Sequence, residues 1–192
     1  VLWQHLGPAD RAKDPLIEAC RFLEKHRARF PGFGEELFAW MRPVLGQLAP
    51  GSTRLARAAC LLHDVNWRGH PDYRPQMGFE TMIHAAIGGI DHAGRVYVGL
   101  ALYHRYRSAR DDRPAPQALS LLDAPARAEA ERVGRAMRLG AMISGSAPGA
   151  LEGAPISVRE GRLVLTLAPA LRELAGEDVE ARLAALARAM DL

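Results

Sequence analysis

Cysteine is nearly absent from this chain, and the two present, Cys20 and Cys60, both sit in apolar, helix-like surroundings. Two such residues cannot build a disulfide framework, and the pattern predicts buried free thiols in a reducing compartment. Aromatic residues make up 6% of the sequence and are not interleaved with basic ones, which argues against a stacking surface for nucleic acid. Of the tryptophans, Trp40 falls on an apolar stripe, Trp67 is placed to roof the neighbouring His63-Asp64 pair, and Trp3 carries no pattern. No apolar run approaches the ~18 residues of a membrane span, and the first residues form no signal peptide, so the expected location is cytoplasmic with no membrane partner. Internal repeats, low-complexity tracts and a glycine-rich phosphate loop are all missing. The first residue is Val, so the chain is taken as trimmed or as a piece of a longer protein.

Lysine is equally scarce: Lys13 and Lys25 are the only two among 25 basic residues, so the net charge of +3 rests on arginine. Arginine used this freely lowers the weight of any single guanidinium. Its distribution says more. Residues 51–113 hold nine basic and six acidic side chains, whereas residues 171–192 hold three and five, which makes the middle the expected face for an anionic partner. With 192 residues, 48% hydrophobic and 24% charged, the composition is that of a globular chain. At this length roughly 70% of the unfolded surface can be buried without staples.

Helical periodicity dominates the first three quarters. Asp14-Pro15 is a cap followed by proline at the first helical position, and apolar residues then recur at helical spacing to the Phe30-Pro31-Gly32 break. A second helix is expected from about Glu35 to Leu48, disturbed by Pro43, and a third is capped by Ser52 and ends in the run Ala58 to Val65. Residues 66–78, with Gly69, Pro71, Pro75 and Gly78, are expected to form a functional loop without regular structure. Helices follow over about 79–87, 93–106 and 125–143, with a polar connection over 107–116. Ile156 to Arg159, a Glu160-Gly161 turn and Arg162 to Leu167 predict a β-hairpin, and a final amphipathic helix covers about 178–190. The fold class is therefore mainly α, with a helical domain over 1–147 and a small C-terminal α+β subdomain, hairpin plus helix, over 148–192.

Five of the seven histidines, His63, His70, His84, His92 and His104, fall within 42 positions, with Asp64 beside the first. Neutral imidazoles and a carboxylate together suit a divalent metal that activates water for phosphoester hydrolysis. The same letters also describe a buried histidine bonded to a backbone carbonyl, with Asp64 capping the next turn. Both readings stay open on the residues alone.

The order His63-Asp64 after Leu61-Leu62, His84 before Ala85-Ala86-Ile87, and Tyr103-His104 closing a helix resembles the HD phosphohydrolase superfamily. The resemblance implies an HD-like bundle with a further histidine about 30 residues before His63 and a closing Asp near Arg138. Phe33-Gly34-Glu35-Glu36 and Arg138-Leu139-Gly140-Ala141 stand there instead, so the pocket of His63, Asp64, His84 and His104 is degenerate and no bound metal is expected. The stretches Ala58 to Arg68, Gly69 to Arg74, Gly89 to His92, Tyr103 to Arg105 and Arg138 to Gly145 resemble, more specifically, the C-terminal half of the exopolyphosphatase and guanosine pentaphosphate phosphatase family (Ppx/GppA).

That resemblance implies a hydrolase of terminal phosphate from inorganic polyphosphate or guanosine pentaphosphate (pppGpp). Its Mg-dependent catalytic residues would lie in an N-terminal actin-like domain, and none in this chain would be catalytic. This chain would bind the distal phosphates and help form a homodimer. Its expected phosphate contacts are Arg68, His70 and Arg74 on the loop and His104, Arg105 and Arg107 at a helix end, because planar guanidinium forks suit phosphate oxygens. Two rival functions are an autonomous metal-dependent HD phosphohydrolase and a purely architectural dimerisation module.

Overall fold

A computed structural model describes residues 5, 7–46, 48–107 and 116–192. A short helix α1 (Pro8–Arg11) precedes α2 (Pro15–Arg27), α3 (Phe33–Leu45), α4 (Ser52–Leu61), α5 (Arg74–His84), α6 (His92–Tyr106), the single turn α7 (Pro116–Leu119) and the long α8 (Ala124–Ser144). Strands β1 (Ile156–Arg159) and β2 (Arg162–Leu165), a 3-10 turn (Pro169–Leu174) and α9 (Glu177–Ala189) complete the chain. The fold is thus mainly α with a small hairpin, as the periodicity predicts. Trp3 and most of the polar connection, residues 108–115, lie outside the described residues.

Asp14 caps α2 by accepting from the Leu16 and Ile17 amides, with Pro15 where its missing N–H costs nothing. Asp91 and Asp123 cap α6 and α8 in the same way. Two local expectations fail. Gly51, left-handed at φ 86°, is the N-cap of α4, and Ser52 is its first helical residue and buried. The stretch expected to be irregular over 66–78 is turn only as far as Tyr73, and α5 begins at Arg74. Pro75 there occupies the first helical turn, where proline is tolerated, and Gly78 packs its bare face on α6, 3.3 Å from the Leu102 Cβ if a Cβ is added. Proline and glycine punctuate a helix start at those positions rather than breaking one.

The centre of the molecule is α6, whose residues Val96 to Tyr103 are all buried. It packs against α5 on one side and α8 on the other, with α4 beneath, while α3 bridges α4 and α8. Each large aliphatic residue fully buried here contributes about 1.5–3 kcal/mol. The α6–α8 crossing is unusually close. A Cβ placed on Gly134 would lie 2.5 Å from the His104 Cβ, so only glycine lets the two backbones approach.

The hairpin has the register Ile156↔Leu165 through Arg159↔Arg162 and packs on α3. Trp40 donates its indole N–H to the Ala154 carbonyl at 2.6 Å, and the Glu36 carboxylate accepts from the Gly149 and Leu151 amides at 2.6 and 3.0 Å. Helix α9 lies along α8 and contacts β2. Leu151, Ala154, Ile156, Val179 and Leu186 share one buried cluster with the helices before them. Among the described residues no helix is long and apolar enough to cross a membrane.

Candidate anion-binding groove

The His63-Asp64 pair lies just past the end of α4. His63 is fully buried; its Nδ1 donates to the Cys60 carbonyl at 2.8 Å, and its ring meets Phe33 edge-on at 5.2 Å. Burial, reinforced by the nearby Arg105 charge, pulls its pKa down to about 3, so the ring is neutral. Asp64 is equally buried and fully engaged. Arg29 donates Nε to Oδ2 at 2.8 Å and Nη2 to Oδ1 at 2.7 Å, and its backbone N–H adds a third bond at 3.2 Å. Burial opposes the Asp64 charge, but those hydrogen bonds outweigh it and hold the carboxyl below the usual range. Arg29 carried no signal in the sequence, standing in the break after α2.

A divalent cation does not fit this arrangement. Both Asp64 oxygens are occupied by a guanidinium, His84 is exposed at the end of α5, and His104 faces a different cavity. Among the described residues no three His, Cys, Asp or Glu side chains gather as a ligand set. Glu36 is occupied by the amides that anchor the chain before β1. Trp67 donates its N–H to the Arg27 carbonyl at 3.0 Å, and its ring carries Arg68 at 4.7 Å and Arg29, the partner of Asp64, at 5.9 Å.

The unmatched charge lies elsewhere, along the seam where α6, α8, α9 and the start of α5 meet. A cavity of about 490 Å³ is lined by His104, Arg107, Arg135, Arg138, Asp178 and Arg182, with two alanines of α9. A second, of about 190 Å³, is lined by Pro71, Arg74, Arg105, Tyr106, Arg138 and Arg182, with Ala141 and Met142. Arg138 and Arg182 line both, so the two cavities form one groove.

Each wall follows from helical spacing. His104 and Arg107 sit one turn apart at the end of α6; Arg135 and Arg138 likewise share a face of α8. The Gly134 contact brings those faces together, and α9 adds Arg182 across them. Arg105 stacks on the Tyr106 ring at 4.9 Å and Arg107 on the Tyr103 ring at 5.7 Å, while Arg74 donates to the Gly69 carbonyl at 2.8 Å.

Two groove arginines have carboxylate partners. Arg135 pairs with Glu131 at 2.5 Å, and Arg182 bonds both the carboxylate and the carbonyl of Asp178, at 2.7 and 2.8 Å. Arg105 Nε and Arg138 Nη1 are buried donors with no hydrogen-bond partner among the described residues. Burial, followed by the charges of Arg182, Arg105 and Arg135, lowers the Arg138 pKa to about 10 against a weaker pull from Asp178. Burial likewise lowers Arg105. His104 is brought to about 4 by burial and by Arg135 and Arg107, in spite of Glu131, so it lines the groove as a neutral ring. Clustered guanidinium groups whose donors lack acceptors form a site that an anion stabilises.

Four of the six phosphate contacts expected from the sequence, Arg74, His104, Arg105 and Arg107, line this groove. Arg68 and His70 do not: Arg68 is stacked on Trp67, and His70 is exposed beside Asp72, whose amide donates to its Nδ1 at 3.4 Å. Arg135, Arg138 and Arg182 are groove residues that the sequence reading passed over. The 135/138 spacing on a long helix was visible, whereas the acidic balance of residues 171–192 concealed Arg182.

A family model described as exopolyphosphatase, C-terminal, matches residues 16–191. No curated protein matches the chain significantly.

Proposed function

The chain belongs to the exopolyphosphatase C-terminal family, and from that premise we propose that it is the polyphosphate-holding part of an exopolyphosphatase, with the arginine groove as the track for the phosphate chain. The observation that supports this is the unmatched charge: six arginines line the two cavities and one carboxylate, Asp178, stands among them. Linear polyphosphate carries a negative charge at each repeat, so a groove of successive guanidinium forks gains with every phosphate it admits. Inorganic polyphosphate and guanosine pentaphosphate both present such a chain, and the same groove serves either.

In this reading the residues of this chain bind and orient. Arg138 and Arg105 supply donors that need an acceptor, Arg74 and Arg107 extend the row at each side, and the neutral His104 can donate without adding charge. Hydrolysis of the terminal phosphate, by water at a Mg-dependent site, is assigned to the N-terminal actin-like domain of the same protein, and assembly as a homodimer belongs to the same proposal. The rival reading as an autonomous metal hydrolase would require Arg29 to surrender both oxygens of Asp64.

The test is titration of the 192-residue chain with long-chain inorganic polyphosphate. Binding is expected at low salt, with log affinity falling linearly against log salt concentration as condensed counterions are released. Replacing both Arg138 and Arg182 by Gln should flatten that slope. Absence of binding at low salt would remove the proposal.

A further inference from the structure

The groove is not uniform, and its asymmetry, taken with the phosphate reading above, ranks its two cavities. The smaller cavity has Arg74, Arg105 and Tyr106 to itself, and no carboxylate lines it among the described residues. Two of the buried donors without a partner, Arg105 Nε and Arg138 Nη1, belong to side chains of its lining, Arg105 to this cavity alone and Arg138 to both. The larger cavity has His104, Arg107 and Arg135 to itself, together with Asp178. There Arg135 is already paired with Glu131, and Asp178 holds the shared Arg182. A phosphate entering the smaller cavity meets Arg74 and Arg105 with no carboxylate among the lining residues. Arg138 and Arg182 are common to both, so the difference rests on the unshared groups: a phosphate entering the larger cavity meets the Asp178 carboxylate and an Arg135 that must exchange Glu131 before it can accept it.

We propose that the smaller cavity is the anchoring phosphate subsite and that Asp178 is a specificity-determining residue which reserves the larger cavity for phosphates tethered to one already anchored. Tethering supplies the difference, because a phosphate held a few bonds away competes with Asp178 at an effective concentration in the millimolar range. A short anion whose phosphates all lie within the smaller cavity of about 190 Å³ has no such advantage. The groove therefore selects extended chains over short ones through a carboxylate at the exposed rim of a basic site, a repulsive element of the kind on which specificity commonly depends.

The experiment titrates the 192-residue chain at low salt with two probes, inorganic tripolyphosphate and long-chain inorganic polyphosphate. Arg105→Gln and Arg74→Gln should each weaken tripolyphosphate about tenfold, as expected for loss of a charge-assisted contact. Arg74→Gln leaves the Arg105–Tyr106 packing in place and covers the case in which R105Q does not fold. Arg107→Gln should weaken tripolyphosphate less than about twofold but the long chain about threefold. Asp178→Asn should tighten tripolyphosphate about threefold and make its binding sensitive to a second R107Q change. Glu180→Gln, the same charge change on an exposed residue of α9 outside both linings, should do neither.

The ranking is overturned if R107Q costs tripolyphosphate as much as R74Q does, if E180Q reproduces D178N, or if the long chain binds while tripolyphosphate does not. Wild-type protein that binds neither probe overturns the phosphate reading itself, and the ranking with it.

Discussion

Two regions of this molecule concentrate charge, and they treat it in opposite ways. Around Asp64 the charge is answered from within the protein: the carboxylate is held by Arg29 through three hydrogen bonds, while the neutral His63 gives its Nδ1 to the Cys60 carbonyl and keeps Nε2 buried without a partner among the described residues. Along the groove the guanidinium groups of Arg105 and Arg138 are partly buried with donors left over, and Arg138 is repelled by the arginines around it. The first arrangement is what a structural ion pair requires; the second, like charges gathered with donors to spare, suits a place where something else supplies the acceptor. One residue connects the two. Tyr106 bonds the His63 carbonyl at 2.6 Å while its ring carries Arg105, so the paired centre supports one wall of the unpaired groove.

The sharpest way to break this contrast is to remove Arg29. Arg29→Ala leaves the Asp64 carboxylate buried without its counter-charge, and the loss should be about 3 kcal/mol, at the low end for a broken buried pair because Arg29 is itself partly exposed. Urea unfolding at neutral pH measures it. A loss below about 1 kcal/mol would mean that the centre is not held by that pair.

Acid titration extends the comparison, since each region contains one depressed histidine. His63 at about 3 and His104 at about 4 are neutral in the folded protein, whereas both protonate near pH 6.5 when unfolded. The unfolded chain therefore binds more protons below that pH, and stability falls as pH is lowered from about 6.5 towards 4. With both sites contributing, the slope should approach ~2.7 kcal/mol per pH unit near pH 5. The lowered carboxyls of Asp14, Glu35, Asp64 and Glu131 add their loss only at more acidic pH. His104→Asn should halve the slope near pH 5, and an unchanged slope would show that the groove histidine does not titrate as described.

The groove also depends on how closely its walls approach. Gly134→Ala would push a methyl group against His104 at the α6–α8 crossing, which should cost about 2 kcal/mol in unfolding free energy. Because that crossing sets the distance from Arg105 and Arg107 to Arg135 and Arg138, polyphosphate binding should weaken in the same variant, whereas Arg29→Ala should spare binding in whatever fraction remains folded.

How far the sequence showed this in advance differs between the regions for a physical reason. The Asp14 cap and the apolar spacing of α2 are local and marked that helix correctly, and Asp91 and Asp123 carry the same local signal for α6 and α8. The Pro75 and Gly78 signals were local too but ambiguous, since proline suits a first helical turn as well as a loop. Four groove residues were legible because they cluster at α5 and at the end of α6. Arg135, Arg138 and Arg182 became partners of those four only through the packing of α8 and α9, which no spacing within the chain encodes. Arg29 is the clearest case: it lies 35 positions before Asp64, and nothing in the letters between them joins the two.

The smallest effect discriminates best. If Arg138 is kept for a ligand rather than for the fold, then Arg138→Gln removes a charge that burial and three neighbouring arginines already disfavour, and the protein should lose nothing or gain up to about 1 kcal/mol in urea unfolding. Arg29→Ala and Arg138→Gln thus delete the same kind of group from neighbouring parts of one molecule with opposite sign. A ligand should reverse the second sign. In saturating polyphosphate the wild-type protein gains stability by RT ln(1 + [L]/Kd), about 2.7 kcal/mol at a hundredfold excess over Kd, and the Arg138→Gln variant gains less. An Arg138→Gln protein less stable than wild type without any anion present would place Arg138 with Arg29, among the residues that hold the fold.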